Sequence, residues 1–229
     1  MLELYITNKN YSSWSLRSWV LMRHLGIAFT ERLLPIAPGS NWEAFRKFSP
    51  SGRMPCLRDG ATVVWDSLAI AEYLAERHAA VWPADGSARA WARCAAAEMH
   101  SGFGSLRQQC SMSCGLRVEL SRISPDLQHD IDRIAELWSG GLQRFGGPFL
   151  AGASFSAVDA FFAPVAFRVQ TYGLALPAEA AAYAQRLLAL APMREWHAAA
   201  LQETWREPGH EDEIAQVGRV LQDLRAGAD

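Results

Sequence analysis

Between Leu2 and Leu25 the chain changes its hydrophobic period once, and that change restricts the folds open to it. Leu2, Leu4 and Ile6 alternate with Glu3, Tyr5 and Thr7, the period-2 pattern of a half-buried strand. After Asn8-Lys9-Asn10 the apolar residues Leu16, Trp19, Val20 and Leu25 recur at helical spacing, and Gly26 supplies a stop. A strand feeding directly into an amphipathic helix predicts a layered α/β unit. Tyr11-Ser12-Ser13-Trp14-Ser15-Leu16-Arg17 then falls on the last loop residues and the first helical turn. Backbone N–H groups there lack intrahelical partners and the helix dipole favours an anion, so a sulfur anion suits the position. A helix cap accounts equally for Ser12 or Ser13 taken alone.

The alternation continues through the N-terminal third. Strand character at Phe29 to Leu34 is followed by a loop from Pro35 to Ser40 and a short helix around Trp42 to Phe48. Strands at Pro55 to Arg58 and Ala61 to Trp65 flank an Asp59-Gly60 turn, and Asp66-Ser67 opens a helix with Leu68, Ile70, Ala71 and Leu74 on its apolar face. The expected order is βαβαββα. Pro55 stands at a strand entry, where its missing N–H is tolerated. A cis Met54-Pro55 bond would free the Met54 backbone to pair with an extended ligand. Asp66-Ser67 suits an α-amino acid head, with the carboxylate for its ammonium and the hydroxyl and N–H groups for its carboxylate; a cap explains it too.

Trp82-Pro83-Ala84-Asp85-Gly86 reads as a linker, which divides the chain into residues 1–80, a linker at 81–87 and a helical domain at 88–229. Helix formers dominate from Ser87 to about Leu201, with breaks at Ser124-Pro125, Gly146-Gly147-Pro148, Leu176-Pro177 and Pro192. Ser156-Ala157-Val158-Asp159 is a capping-box variant, and Asp159 is expected to serve folding. Ile214, Val217, Val220, Leu221 and Leu224 recur at helical spacing and predict a terminal helix packed back on the body.

With 229 residues the chain is long enough for one large or two modest domains. A net charge of -2 argues against a nucleic-acid partner, and no stretch reads as a signal peptide or membrane span. Cys56, Cys94, Cys110 and Cys114 have neither a CxxC nor a paired-His spacing, so no metal or dithiol site is expected. A cytoplasmic protein with a small-molecule partner is the expectation.

The strand, serine loop and helix, followed by Ser49-Pro50-Ser51-Gly52-Arg53-Met54-Pro55-Cys56-Leu57 and Val64-Trp65-Asp66-Ser67-Leu68-Ala69-Ile70-Ala71-Glu72-Tyr73-Leu74, resemble the thioredoxin-like domain of glutathione S-transferases. The likeness runs nearly the whole chain, since a Ser/Thr-x-x-Asp box also starts a buried helix in that family. It implies a thioredoxin-like N-terminal domain, an all-α C-terminal domain, glutathione as co-substrate and a homodimer with a detoxifying role. Ser12-Ser13-Trp14-Ser15-Leu16-Arg17 is similar to the Ser-Ser-Cys-Ser-Trp-Arg motif of the zeta class, which includes maleylacetoacetate isomerases; Trp14 stands in place of its cysteine.

By this resemblance the thiol activator is Ser12, counting back five positions from Arg17, or Ser13, counting back four, with Ser12 favoured. Trp14, Met54, Pro55, Asp66 and Ser67 would hold glutathione, Met54 by its backbone and Asp66 with Ser67 at the γ-glutamyl end. A side chain between Ser40 and Lys47 would take the glycyl carboxylate. A helix from Arg89 through Gln108 would wall the electrophile site, with His100, Phe103 and Arg107 on one face and Met112 nearby. Conjugation, glutathione-dependent cis-trans isomerisation and a non-catalytic glutathione-binding module are the alternatives implied.

Overall fold

A computed structural model describes residues 1–36, 39 and 41–227 of the chain. Strand β1 (Leu2–Ile6), helix α1 (Ser13–His24), strand β2 (Phe29–Leu33), helix α2 (Trp42–Arg46), strands β3 (Cys56–Asp59) and β4 (Thr62–Trp65) and helix α3 (Ser67–Ala75) realise the βαβαββα order. The sheet runs β2-β1-β3-β4, parallel between β1 and β2 and antiparallel elsewhere. Leu4, Ile6 and Leu57 are fully buried on it, as the period-2 pattern requires.

A 3₁₀ turn at Ala79–Val81 leads to Asp85, whose side chain caps helix α4 (Gly86–Ser101) through the Ala88 N–H at 2.8 Å. Helix α5 (Gly104–Gln109) and strand β5 (Leu116–Leu120) follow, then helices α6 (Pro125–Phe145), α7 (Ala157–Tyr172), α8 (Ala178–Ala189), α9 (Ala191–Leu201) and α10 (Pro208–Val217), and strand β6 (Gly218–Asp223). Helix α7 is buried over almost its whole length, so it is the central post of the helical part. It packs against α1, α4 and α8. Its capping box is complete, and Asp159 also accepts from the Leu150 N–H at 3.0 Å and the Tyr183 hydroxyl at 2.8 Å. Burial pushes the Asp159 carboxyl up to about 6, against the lowering effect of those bonds.

Three expectations are corrected. The predicted helix from Arg89 through Gln108 is two helices, because Gly102 ends α4 in an extended conformation and Phe103 adopts left-handed φ 59°. Phe103 is thereby turned into the core, 6% exposed. The tail is helical only to Val217; β6 then pairs antiparallel with β5. The second domain, expected to be all-α, therefore carries a two-stranded sheet among its helices. Val220, Leu221 and Leu224 remain 45%, 57% and 38% exposed instead of packing inward. The unpaired backbone edge of β5 offers that segment hydrogen bonds, which outweigh its helical spacing.

Candidate functional site

Ser12 is the N-cap of α1. Its Oγ accepts from the Ser15 N–H at 3.3 Å and donates to Ser15 Oγ at 2.8 Å, while Ser15 Oγ also accepts from the Thr7 N–H at 3.2 Å. Ser13 is different: among the described residues no group bonds its hydroxyl. The Trp14 N–H beside it likewise has no acceptor, as expected in a first helical turn.

The loop carrying these serines is clamped from the far end of the chain. Glu203 accepts from the Lys9 and Asn10 N–H groups at 2.7 and 3.1 Å, and Trp196 Nε1 donates to the Lys9 carbonyl at 2.9 Å. The Tyr11 hydroxyl donates to Glu211 at 2.6 Å, and Arg225 ties Glu211 to Asp223 at 2.5 and 2.6 Å. Helix α10 and strand β6 thus act as a strap across the serine loop.

Two clefts meet at this loop. The larger, about 540 Å³, is lined by Thr7, Tyr11, Ser12, Ser13, Trp14, Trp42, Arg53, Met54, Arg107, Met112 and Arg168 among others, with His210 and Glu213 of the strap. The other, about 500 Å³, is lined by Trp14, Ser51, Arg53, Met54, Pro55, Trp65, Asp66 and Ser67. Trp14, Arg53 and Met54 belong to both walls. The five residues expected to hold glutathione therefore share one cleft, and both serines open on the other.

Met54-Pro55 is cis, and neither the N–H nor the C=O of Met54 bonds any described residue. Before it, Gly52 sits at φ +63° against the Trp42 ring, where a Cβ would come within 2.4 Å; the close approach and the positive φ both call for glycine. Asp66 also has a left-handed φ, 80°, with ψ 135°, a conformation costly for a residue with a Cβ. It caps α3 through the Leu68 N–H at 2.8 Å and turns its other oxygen to His100 Nε2 at 3.4 Å. Ser67 Oγ is buried with no partner among the described residues.

Of the four expected electrophile contacts, Arg107 and Met112 line the larger cleft. His100 and Phe103 line neither cleft. His100 instead buttresses the site, edge-on to Trp14 at 5.2 Å between ring centroids. Its pKa is lowered by burial and by Arg17 and Arg107, with Asp66 opposing. Trp14 is also flanked by guanidiniums, Arg17 at 4.3 Å and Arg107 at 4.9 Å from its ring centre.

Sequence reasoning assigned no role to Arg53 or Arg168. Arg53 forms no ion pair with any described residue and lies on both clefts. Arg168 is a cation inside the apolar run of α7, a composition signal that was available from the sequence. Ser40, the first residue of the stretch expected to reach the glycyl carboxylate, lies outside the described residues.

Comparison with known proteins gives a consistent match. Residues 11–77 match the family model "Glutathione S-transferase, N-terminal domain" and residues 88–207 the model "Glutathione S-transferase, C-terminal domain". No curated protein sequence matches the chain. Among solved structures, a glutathione transferase homolog from Burkholderia gl BGR1 with bound glutathione is similar with a TM-score of 0.66 and 23% identity, over 87% of this chain and 97% of that one. The theta class enzyme of Xanthomonas axonopodis pv. citri, also with glutathione bound, has a TM-score of 0.63 and 23% identity over 85% and 95% of the two chains. The Tau class enzyme of mango, Mangifera indica, has a TM-score of 0.66 and 20% identity over 94% and 97%. At these identities the likeness concerns the fold.

Proposed function

Because the chain belongs to the glutathione S-transferase family, we propose that it binds glutathione across its two clefts and delivers the thiolate to a small electrophile. The γ-glutamyl end lies at Asp66 and Ser67, where an unpartnered buried hydroxyl and a carboxylate await an ammonium and a carboxylate. The cysteinyl backbone pairs with the free N–H and C=O of Met54. Arg53, on both walls and without an ion pair among the described residues, takes the glycyl carboxylate.

The sulfur then meets Ser13. This choice rests on one observation: Ser12 already donates to Ser15, whereas the Ser13 hydroxyl has no partner among the described residues and stands beside an N–H that has none there either. A thiol near pKa ~8.5 is only a few per cent thiolate at neutral pH. Donors aimed at sulfur favour the anion, by about 1.4 kcal/mol for each unit of lowering. Ser13 donates to sulfur and does not itself attack. The sulfur lone pair forms a bond to an electrophilic carbon, and either a leaving group departs with its electron pair or an activated double bond accepts the pair and later a proton.

A homodimer and a cytoplasmic setting complete the proposal, the former favoured by Trp65, 46% exposed on the edge strand β4. Glutathione titration followed by ultraviolet absorbance of the bound thiolate tests the core of it. Binding with the thiol pKa lowered below that of free glutathione is the expected result; binding without thiolate would reduce the chain to a glutathione-holding module.

A further inference from the structure

Two guanidiniums, Arg107 and Arg168, line the larger cleft, and a third, Arg17, lies buried against the Trp14 ring that Arg107 also flanks; no carboxylate forms an ion pair with any of them among the described residues. Arg17 is 1% exposed, wedged between Trp14 and Phe161, with Nε and Nη1 unpartnered. Arg168 is 4% exposed and donates through Nε to the Cys110 carbonyl at 2.7 Å and through Nη1 to the Pro164 carbonyl at 3.4 Å. Arg107 donates through Nε to the Gly102 carbonyl and through Nη2 to the Met99 carbonyl. Each of the two arginines lining the cleft therefore keeps one terminal nitrogen uncommitted, Nη1 of Arg107 and Nη2 of Arg168.

Buried charges are ordinarily paired, because an uncompensated one carries a large desolvation penalty. Here three are clustered: beyond burial, Arg107 lowers the pKa of both Arg17 and Arg168, and Arg168 lowers that of Arg17, with Asp66 and Asp130 opposing at Arg17 and Arg107; Arg168 falls to about 10. All three remain cations at neutral pH. The acidic groups nearby are committed elsewhere: Asp66 caps α3 and faces His100, Asp130 accepts from the Leu106 N–H at 2.9 Å, and Glu213 at the rim accepts from the Ser111 hydroxyl.

We infer that the larger cleft takes an electrophile bearing a carboxylate, which fills the missing partner position between Arg107 and Arg168. The inference rests on the reading of Ser13 as the thiol site. Neither carboxylate of glutathione serves here, because the γ-glutamyl end belongs to Asp66 and Ser67 in the other cleft and the glycyl end to Arg53. Planar guanidiniums match a carboxylate geometrically as well as in charge. Met112, Tyr11 and the Trp14 ring supply apolar contact for the remainder of such a molecule. The substrate class is a small unsaturated or aryl electrophile with an acid group a few bonds from the reacting carbon.

The experiment uses two unreactive probes, 3-nitrobenzoate and its methyl ester, titrated calorimetrically into the full chain with and without glutathione. Turnover is then compared for the reactive pair 4-chloro-3-nitrobenzoate and its methyl ester. The carboxylate probe is expected to bind about tenfold or more tightly than the ester, a difference of at least ~1.4 kcal/mol, and kcat/KM is expected to favour the acid similarly. Arg107→Gln and Arg168→Met should each remove most of the preference; Arg107, the less buried of the two, keeps the test open if Arg168→Met fails to fold. Equal binding of acid and ester by the unaltered protein, or binding of neither, overturns the inference. A protein that grips the acid but ignores glutathione refutes the transferase reading and leaves the anion subsite standing.

Discussion

Replacing Ser12 and Ser13 separately by alanine separates capping from thiol activation. Ser13 Oγ makes no bond that the fold needs, so Ser13→Ala should leave stability nearly unchanged. A hydrogen bond to a charged acceptor is worth about 1.5–3 kcal/mol. At about 1.4 kcal/mol per unit, its loss raises the pKa of the bound thiol by about 1–2 units. Below that pKa the thiolate fraction, and with it kcat/KM, falls about 10- to 100-fold. Ser12→Ala removes the cap on Ser15 and the bond between the two hydroxyls. That costs about 1 kcal/mol, or about 2–4 °C in Tm for a chain of this size. Ultraviolet difference titration of bound glutathione reads the first effect and a thermal melt the second. A thiol pKa that rises in Ser12→Ala and stays put in Ser13→Ala would refute the assignment.

Asp66→Asn should retain the cap on Leu68, since asparagine caps as well as aspartate, yet weaken glutathione about tenfold through loss of the charged partner for its ammonium; calorimetric titration measures this, and unaltered affinity counts against the γ-glutamyl assignment. Asp159→Ala orphans the Leu150 and Ser156 N–H groups and the Tyr183 hydroxyl. At about 1–3 kcal/mol for each buried group left unpaired, it should destabilise the fold by at least ~3 kcal/mol while the surviving folded fraction keeps normal turnover, and a near-native Tm contradicts the account. Glu211 and Asp223 feel burial, which alone raises a carboxyl, but the bonds from Arg225 outweigh it and hold both low. Such depressed acids stabilise the fold above their ordinary pKa values of about 4 and cease to do so as pH falls through the lower, folded-state values. Hydrogen exchange in acid should therefore show α10 and β6 opening before the four-stranded sheet, and simultaneous opening rules out this coupling.

Local pattern carried the fold as far as local energetics decide it. The alternation of Leu2, Leu4 and Ile6, the turn at Asp59-Gly60, the caps at Asp66 and Ser156 and the breaks at Pro125 and Pro177 all concern neighbours within a few positions, and each element lies where they indicate. Helical spacing failed at Val220, Leu221 and Leu224 because β5, about a hundred residues earlier, offered the competing hydrogen bonds. The site divides in the same way. Trp14, Met54, Pro55, Asp66 and Ser67 stand at element ends and were legible there, whereas the clamp of Glu203 and Glu211 on the serine loop spans some two hundred residues. Counting from Arg17 favoured Ser12 over Ser13, and could not register that the Ser12 hydroxyl is the one that meets Ser15.

Trp14 is where the resemblance to the zeta motif breaks, and its surroundings give the substitution a physical role. The indole forms a wall shared by the two clefts and is flanked by Arg17, Arg107 and His100. A cysteine there would present a second nucleophile and leave the guanidiniums without an aromatic face. The ring instead holds the buried Arg17 and the half-buried Arg107 through its π surface, an attraction worth up to about 2 kcal/mol when desolvated, and so helps to keep positive charge next to Ser13. In a low-dielectric cleft such fixed charge acts strongly on an anion. The thiolate gains from that field as well as from the Ser13 hydroxyl, so Trp14→Cys should raise the bound thiol pKa even with both serines intact. A thiol pKa unchanged by Trp14→Cys would leave the serine as sole activator and confine the arginines to the electrophile.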